Sequence, residues 1–339
     1  MESAAPRFLV VGQLTRDYIL LPSGEGFIDI PGGNVLFAAV GLAVWEPEPP
    51  PAILARVGED YPHEWLEEFK RRGLNTLGVK ILPNAIDLRN FVAFQDPNTQ
   101  WNDDPVAHFA RFGLAFPKAL LGYRPLHKSI DSRTNFSPTS MRQNDIPEAF
   151  LDTGVAHFCP SDYLSHSLLP AIFRQAQFST ITLDPSIGYM SPVFWDNIPS
   201  LITGLTTFLP SEQEMYSLFQ SRSSDLWEMA DALSAYGCEI IVIKCGERGQ
   251  MLYDAPSRTR WEVPAYPARV VNTIGAGDAF CGGFLAGYRR TYDPLQAVLY
   301  GNISASLAIE GNSAFYALDV LPGLPQARLE TLRNTVRRI

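Results

Sequence analysis

Short apolar runs alternate with amphipathic stretches along most of this 339-residue chain. In the first third, apolar runs, several of them rich in β-branched residues, predict short strands at residues 8–11, 17–21, 53–57, 79–82 and 91–94. A stretch rich in Ala, Val and Leu opens after Gly33 and predicts a helix that ends near Trp45. This region therefore combines predicted strands and a predicted helix within fewer than a hundred residues.

The second half of the chain alternates more regularly between strand and helix. Four apolar runs predict strands at residues 155–158, 180–183, 206–209 and 240–243. Helices are predicted at residues 166–177, 212–220, 225–236, 276–290 and 294–310, with a hairpin at 250–253 and 260–263. Because such alternation is typical of α/β proteins, we predict a doubly wound, mostly parallel central sheet with right-handed crossovers.

Residues 96–147 show neither the helical nor the strand pattern of apolar residues and are rich in Pro, Asn, Asp and Arg. A structureless loop of this length is uncommon inside a compact domain, so we predict a partly ordered insertion or lid. Six basic residues give the insertion local positive charge: Arg111, Arg124, His127, Lys128, Arg133 and Arg142. They either reach an anionic substrate or form a solvated surface.

Composition and charge narrow the class of protein. Hydrophobic residues make up 46% and charged residues 19%, as in ordinary soluble proteins, and the net charge of −9 argues against a dedicated nucleic-acid binder. No apolar run approaches the roughly 18 residues that a membrane span needs, and the N-terminal run is too short for a signal peptide. The four cysteines form no C-x-x-C pair, and scattered free cysteines fit a reducing compartment. Together, the charge, the apolar runs and the cysteines predict a cytoplasmic protein without a membrane or nucleic-acid partner.

The segment with the clearest chemistry is the turn Gly275-Ala276-Gly277 followed by Asp278, at the predicted start of a helix. Small residues let the backbone turn tightly, and the first amides of a helix have no intrahelical partner. These amides and the helix dipole suit a phosphate or a developing negative charge. A carboxylate there repels a phosphate, but it is useful if Asp278 accepts a proton from an attacking hydroxyl. The alternative is that Asp278 only caps the helix.

Two common nucleotide motifs are excluded. The chain has no G-x-x-x-x-G-K-[ST], so it lacks a P-loop, and Phe280 stands where the last glycine of G-x-G-x-x-G would be. The missing dinucleotide fingerprint also leaves little support for a dehydrogenase.

The segment Asn272-Thr273-Ile274-Gly275-Ala276-Gly277-Asp278 resembles the D-T-x-G-A-G-D signature of ribokinase-like (PfkB) carbohydrate and nucleoside kinases. Four earlier segments also resemble motifs of that family and occur in the family's order: Val11-Gly12 with Asp17, Pro31-Gly32-Gly33, Val57-Gly58-Glu59-Asp60, and Lys244-Cys245-Gly246-Glu247-Arg248-Gly249. The likeness covers residues 7–95 and 150–315. It implies one ribokinase-like domain with helices on both faces of the sheet and a small β lid, whose strands lie near residues 13–30 and 79–95.

The resemblance also implies an activity, the ATP-dependent phosphorylation of a hydroxyl on a sugar, nucleoside or related alcohol. Asp278 would be the general base, and the amides of Gly275, Ala276 and Gly277 would stabilise charge on the γ-phosphoryl group. The implied substrate-binding residues are Asp17, Gly32, Gly33 and Asn34, and the nucleotide-binding residues are Lys244, Gly246, Gly249, Thr273 and Asn302. Glu214 would help to bind Mg²⁺. The exposed lid strands also suggest a homodimer.

Three positions depart from the pattern of the resembled family. Asn272 stands in place of an Asp that helps to hold a monovalent cation in some members, so activation by K⁺ is in doubt. Ser211 replaces the Asn of the N-x-x-E magnesium motif, although Glu214 remains. Phe37 replaces an Asn that would contact a sugar, and its ring either stacks on the substrate or fills the core. These changes keep open a second hypothesis, a non-catalytic binding protein on the same fold.

Overall fold

The computed structural model describes residues 5–96, 99–125 and 130–338 of the chain. Its strands are β1 Leu9–Val11, β2 Thr15–Leu20, β3 Gly26–Gly32, β4 Ala52–Gly58, β5 Asn75–Leu82, β6 Arg89–Asp96, β7 Thr99–Trp101, β8 Val155–Phe158, β9 Thr180–Leu183, β10 Thr207–Phe208, β11 Ile240–Lys244, β12 Gln250–Asp254, β13 Thr259–Val263 and β14 Arg337–Arg338. Its α-helices are α1 Asn34–Ala43, α2 His63–Arg71, α3 Pro105–Arg111, α4 Tyr163–Gln175, α5 Ile198–Ile202, α6 Glu212–Leu218, α7 Leu226–Ser234, α8 Ala276–Thr291, α9 Pro294–Ala308 and α10 Leu324–Arg333.

The larger sheet has ten strands in the order β14-β13-β12-β11-β10-β9-β8-β1-β4-β5. All pairings from β11 to β5 are parallel, whereas β12, β13 and β14 add an antiparallel edge. The strands from β8 to β11 are buried almost throughout, as expected for a sheet covered on both faces. The prediction of a doubly wound, mostly parallel α/β sheet is therefore confirmed.

A separate four-stranded sheet has the order β3-β2-β6-β7 and forms the lid. In it, Asp17 pairs with Ile30 on one side and with Asn90 on the other. Residues 79–82, which the sequence assigned to the lid, instead end β5 in the larger sheet, where Val79 pairs with Ala55. A short apolar run predicts a strand but carries no information about which sheet the strand joins.

Helices α1 and α8 cross closely enough to exclude side chains at two glycines. A Cβ atom at Gly282 would lie 1.8 Å from the carbonyl oxygen of Ala38, and one at Gly41 would lie 2.3 Å from that of Ala279. This contact fixes the first two turns of α8, which follow the Gly275 turn, against the middle and the end of α1.

The described residues of the insertion form local structure rather than one long loop. They contain β7, α3 and two short 3₁₀ turns, Lys118–Leu120 and Gln143–Asp145, and their apolar side chains join a small core beneath the lid that includes Tyr18, Phe91, Phe109 and Leu120. Packing therefore joins the insertion to the lid. None of the described helices combines the length and apolar character that crossing a bilayer requires.

Candidate active site

A cavity of about 610 Å³ opens between the larger sheet and the lid. Asp17 and Asn34 line it from the side of β2 and α1, and Gly275 and Asp278 line it from the start of α8. Asp87 and Arg89 contribute from the segment that leads into β6. The carboxylates of Asp17 and Asp278, more than 250 positions apart in the sequence, thus border one open space.

The turn before α8 has the conformation that its glycines suggest. Gly275 is the N-cap of α8 and has a φ of 70°, in the left-handed region that favours glycine. The amide of Ala276 donates to the carbonyl of Thr273, and the amide of Ala279 donates to that of Gly275. The first-turn amides lie at the positive end of a 16-residue helix, a suitable place for negative charge.

Asp278 lies in that first turn and is half-buried. Burial raises the pKa of its carboxyl to about 6, with smaller increases from the negative charges of Glu214 and Asp17. The positive charge of Lys244 and a backbone hydrogen bond act in the opposite direction. Asp278 is therefore ionised at neutral pH and is a stronger base than an exposed carboxylate, as proton abstraction requires.

Lys244 stands beside the same turn, at the end of β11. Its ammonium group forms an ion pair with Asp184 and lies 3.6 Å from where a Cβ atom of Gly277 would be. Burial opposes the charge, but Asp184 and Glu214 outweigh it and raise the pKa of Lys244. A single cation thus faces three carboxylates, those of Asp184, Glu214 and Asp278, and this excess of negative charge suits a site that also receives a metal ion.

Asp17 is almost wholly buried, and burial raises the pKa of its carboxyl to about 6. The Thr15 hydroxyl donates to its Oδ1 at 2.6 Å, and the Asn90 side-chain amide donates to the same oxygen at 3.1 Å. A Cβ atom at Gly32 would lie 2.0 Å from the other oxygen, Oδ2, so glycine is required beside this carboxylate. Gly33, with a φ of 105°, follows as the N-cap of α1.

The Asn34 side chain lines the cavity but also holds the surrounding backbone. Its Nδ2 donates to the carbonyl of Pro160, and its Oδ1 accepts from the amide of Gln13, each at 2.8 Å. Phe37, one helical turn later, is 7% exposed and belongs to the main core. Its ring packs under Gly275 and still borders the cavity, so it fills the core and forms part of the cavity wall.

The predicted nucleotide-binding residues lie apart from this cavity. Gly246 and Gly249 flank a 3₁₀ turn after β11 and have φ values of 58° and 94°. Thr273 belongs to the turn that precedes α8. Asn302 is buried, and its side-chain amide bonds to Gln250, Pro264 and Tyr266. Asn302 therefore holds the segment after β13 rather than presenting its amide to a ligand.

Asp184 is the main site residue that our sequence analysis missed. It follows β9 directly, at the carboxyl end of a parallel strand, where ligands bind in open α/β sheets. That position was a usable signal. Arg89 was also missed, because its role depends on the neighbouring insertion.

The basic residues of the insertion are absent from the cavity wall where the structure describes them. Arg111, Arg133 and Arg142 lie over the rings of Phe112, Phe194 and Phe136, and Arg124 is exposed. His127 and Lys128 fall outside the described residues. For the four described residues, the surface interpretation is therefore correct.

The carboxylates near the turn fit a magnesium ion that is held mainly by nucleotide phosphates. Within the described ranges no three His, Cys, Asp or Glu side chains form a complete metal site. Mg²⁺ typically uses only one or two carboxylates together with phosphates and waters. Glu214 is suitably placed at the start of α6, where its Oε2 accepts from the Ser211 amide and hydroxyl.

The surroundings of Asn272 do not fit a cation. The Ile274 amide donates to Oδ1 of Asn272 at 3.0 Å, which leaves the Nδ2 group to donate to the carbonyl of Gly311 at 2.9 Å. A donor therefore occupies the place where a carboxylate would attract a positive ion, and it uses one carbonyl that could otherwise coordinate that ion.

Comparison with known proteins gives a family match and a shared fold. Residues 151–319 match the model of the pfkB family carbohydrate kinases. The chain is 26% identical over 284 residues to a cytidine kinase of Thermococcus kodakarensis, covering 83% of this chain and 88% of the relative. It is 32% identical over 123 residues to a 5-dehydro-2-deoxygluconokinase of Shouchella clausii, covering 36% and 37% of the two chains. An E. coli protein with the provisional name ribokinase II, solved with ATP and Mg²⁺, superposes with a TM-score of 0.68 at 17% identity over 98% of this chain and all of the other.

Proposed function

Because the chain belongs to the pfkB family of carbohydrate kinases and is an ATP-dependent kinase of a small-molecule alcohol, we propose that Asp278 is its general base. The acceptor hydroxyl attacks the γ-phosphorus, the bond to the β–γ bridging oxygen breaks, and ADP leaves. Asp278 takes the hydroxyl proton. The observation that carries this proposal is that Asp278 borders an open cavity at the positive end of α8.

The turn before α8 supplies the electrostatic part of the mechanism. The main-chain amides of Gly275 and Gly277 stabilise the negative charge that spreads over the γ-phosphoryl oxygens during transfer. The amide of Ala276 already donates to the Thr273 carbonyl and holds the turn in shape. Lys244, held by Asp184 next to Gly277, adds a full positive charge at that point. Asp184 is thus a positioning residue for Lys244.

Glu214 would hold a Mg²⁺ ion from the protein side, and that ion would supply positive charge to neutralise the nucleotide phosphates. Glu214 is suited to this task because burial and the negative charge of Asp184 raise its pKa. A positive ion placed beside it therefore relieves an unfavourable concentration of negative charge.

The acceptor lies in the cavity between the larger sheet and the lid. Asp17 receives a sugar hydroxyl on Oδ2, since its Oδ1 already accepts from Thr15 and Asn90. Gly32 and Gly33 let the chain pass beside this carboxylate, and Asn34 fixes the loop before it. These contacts orient the hydroxyl towards Asp278.

The nucleotide lies on the other side of the turn, against the segment after β11. Gly246 and Gly249 keep that backbone free of side chains, and Thr273 leads into the phosphate turn. Asn302 acts indirectly by holding the segment from Pro264 to Tyr266.

We expect the reaction to proceed without a monovalent cation. The amide of Asn272 already binds the Gly311 carbonyl and so ties the turn before α8 to the segment after α9. A hydrogen bond thus replaces the bridge that an ion would form.

The direct test is ADP release with a panel of nucleosides, sugars and sugar acids, for the wild type and for Asp278→Ala. Transfer that requires Asp278 supports the proposal. If nothing in a broad panel yields Asp278-dependent turnover while ATP or an acceptor still binds by calorimetry, the chain is a binding protein rather than a kinase.

A further inference from the structure

One side of the acceptor cavity is built from the insertion. Asn102, Tyr123, Ser137, Pro138 and Thr139 all line it, and we call this group the distal wall. The Tyr123 hydroxyl accepts a hydrogen bond from the Phe91 amide and donates one to the Asn102 carbonyl. These two bonds fix its position. The wall therefore belongs to the ordered part of the insertion, where our sequence analysis assigned no site residue.

The cavity is larger than a single sugar ring requires. Its volume of about 610 Å³ lies within the roughly 300–1,000 Å³ of pockets that hold drug-sized ligands, so a second ring system fits beside a sugar. Asp17 and Asp278 belong to the lid strand β2 and to helix α8, whereas the distal wall belongs to the insertion. A sugar with a second ring system attached has groups for both sides of the cavity.

The charges of the described lining favour an uncharged acceptor. Three carboxylates border the cavity, those of Asp17, Asp87 and Asp278, and Arg89 is the single cation among the described lining residues. Arg89 binds Asp87 through two hydrogen bonds of 2.7 Å, and its remaining amino group donates to the carbonyls of Ala119 and Leu121. Its charge is therefore compensated within the protein, and an acceptor carboxylate or phosphate would meet net repulsion.

The distal wall has the chemistry that recognises a heterocyclic base. Asn102 offers a side-chain amide, and Ser137 and Thr139 offer hydroxyls that bond to each other at 3.1 Å. Tyr123, whose ring also lies under the Arg89 guanidinium, and Pro138 add apolar surface to the lining. Amides and hydroxyls read the edge of a base, and flat apolar groups pack on its face.

From volume, charge and wall chemistry together, and resting on the proposed kinase function, we propose that the acceptor is an uncharged nucleoside. Its sugar ring lies against Asp17 and Asp278, and its base lies against the distal wall. The wall is then the element that separates nucleosides from free sugars.

The first test compares acceptors at equal concentration: cytidine, adenosine and inosine, the neutral sugars ribose and fructose, a neutral disaccharide, and 5-dehydro-2-deoxygluconate. We expect at least one nucleoside to exceed every other compound by tenfold or more in kcat/KM. Faster Asp278-dependent turnover of a free sugar, a disaccharide or the sugar acid would overturn the nucleoside assignment and leave the kinase function intact.

The second test removes one group from the wall. Asn102→Ala should raise the KM for the preferred nucleoside about fivefold to tenfold, as expected for a lost hydrogen bond, with little change in kcat. The matched control is Asn135→Ala, an exposed asparagine of the same insertion that does not line the cavity. Equal effects of the two substitutions, or none from either, would count against the wall as the base subsite.

A binding measurement separates the two proposals if no transfer is seen. Calorimetry on Asp278→Asn should show a nucleoside binding at least tenfold more tightly than ribose. That result without turnover in the wild type supports the cavity as a nucleoside-binding site and refutes the kinase role. Absence of nucleoside binding to both proteins refutes the assignment.

Discussion

The ring of Phe37 lies directly against the backbone of Gly275, so that a Cβ atom at residue 275 would be 2.1 Å from Phe37 Cγ. One residue is on α1 and the other caps α8, and their contact supports the turn that we assign to phosphate transfer. The aromatic residue that departs from the pattern of the resembled family thus packs against the turn that we propose to be catalytic.

This contact predicts an unusually costly glycine substitution. Gly275→Ala combines a left-handed φ with a collision, so we expect it to lower the free energy of unfolding by about 2–4 kcal/mol. Gly73→Ala is the matched control, because Gly73 has a φ of 80° with no atom within 4 Å of the added carbon. That control should lose only about 1 kcal/mol. Urea unfolding measures both.

The same comparison extends to a double variant. Adding Gly275→Ala to a Phe37→Ala protein should cost less than adding it to the wild type, because the colliding ring is gone. Equal costs in the two backgrounds would show that Phe37 does not support the turn.

Replacing the base should separate activity from stability. Asp278→Asn should reduce kcat by about 10²–10⁴-fold, the range of general base catalysis. It should also raise the melting temperature at pH 8, since the raised pKa of about 6 means that the buried charge destabilises the fold. This gain is complete above pH 6 and disappears as the pH falls towards the ordinary Asp value. Scanning calorimetry from pH 4 to 8 tests it, and an unchanged melting temperature at pH 8 contradicts the assigned burial.

The pH dependence of activity should report Asp278 together with Asp17, whose carboxyl has a similar pKa of about 6, and only Asp278 is sensitive to the charge of Lys244. We expect kcat/KM to fall on the acid side with an apparent pKa near 6, because the base must be ionised. Lys244→Met removes the charge that lowers the pKa of Asp278, so this acid limb should move to higher pH as the rate drops.

The control for that shift is Arg248→Gln. Arg248 is an exposed cation a few residues after Lys244 and pairs with Glu212. Its loss should leave the acid limb in place. Identical profiles for the Lys244 variant and the wild type would remove Lys244 from the transfer site.

Dependence on monovalent cations should be created by a single change. The wild type should show equal rates in K⁺ and tetramethylammonium salts. Asn272→Asp replaces the donor to Gly311 with a carboxylate, so its activity should fall without K⁺ and recover when K⁺ is added. Asn334→Asp, at an exposed position, is the control. Strong K⁺ activation of the wild type would be incompatible with the Asn272 geometry.

Local patterns in the sequence were sufficient to predict most of the secondary structure and the chemistry of one turn. The predicted strand at residues 180–183 matches β9, and the helix predicted from residue 276 begins there. Such features depend on neighbours along the chain: apolar periodicity reports burial, and small residues before a carboxylate report a tight, anion-binding turn. Asp278 was identifiable for that reason.

The tertiary structure decided what surrounds that turn. Strand order in the sheet brings Asp184 to Lys244 from 60 positions away, and helix crossing puts Phe37 beneath Gly275. The insertion, which shows neither period, supplies one wall of the acceptor cavity. Contacts of this kind depend on how separate elements pack, and the sequence near either partner carries no record of the other.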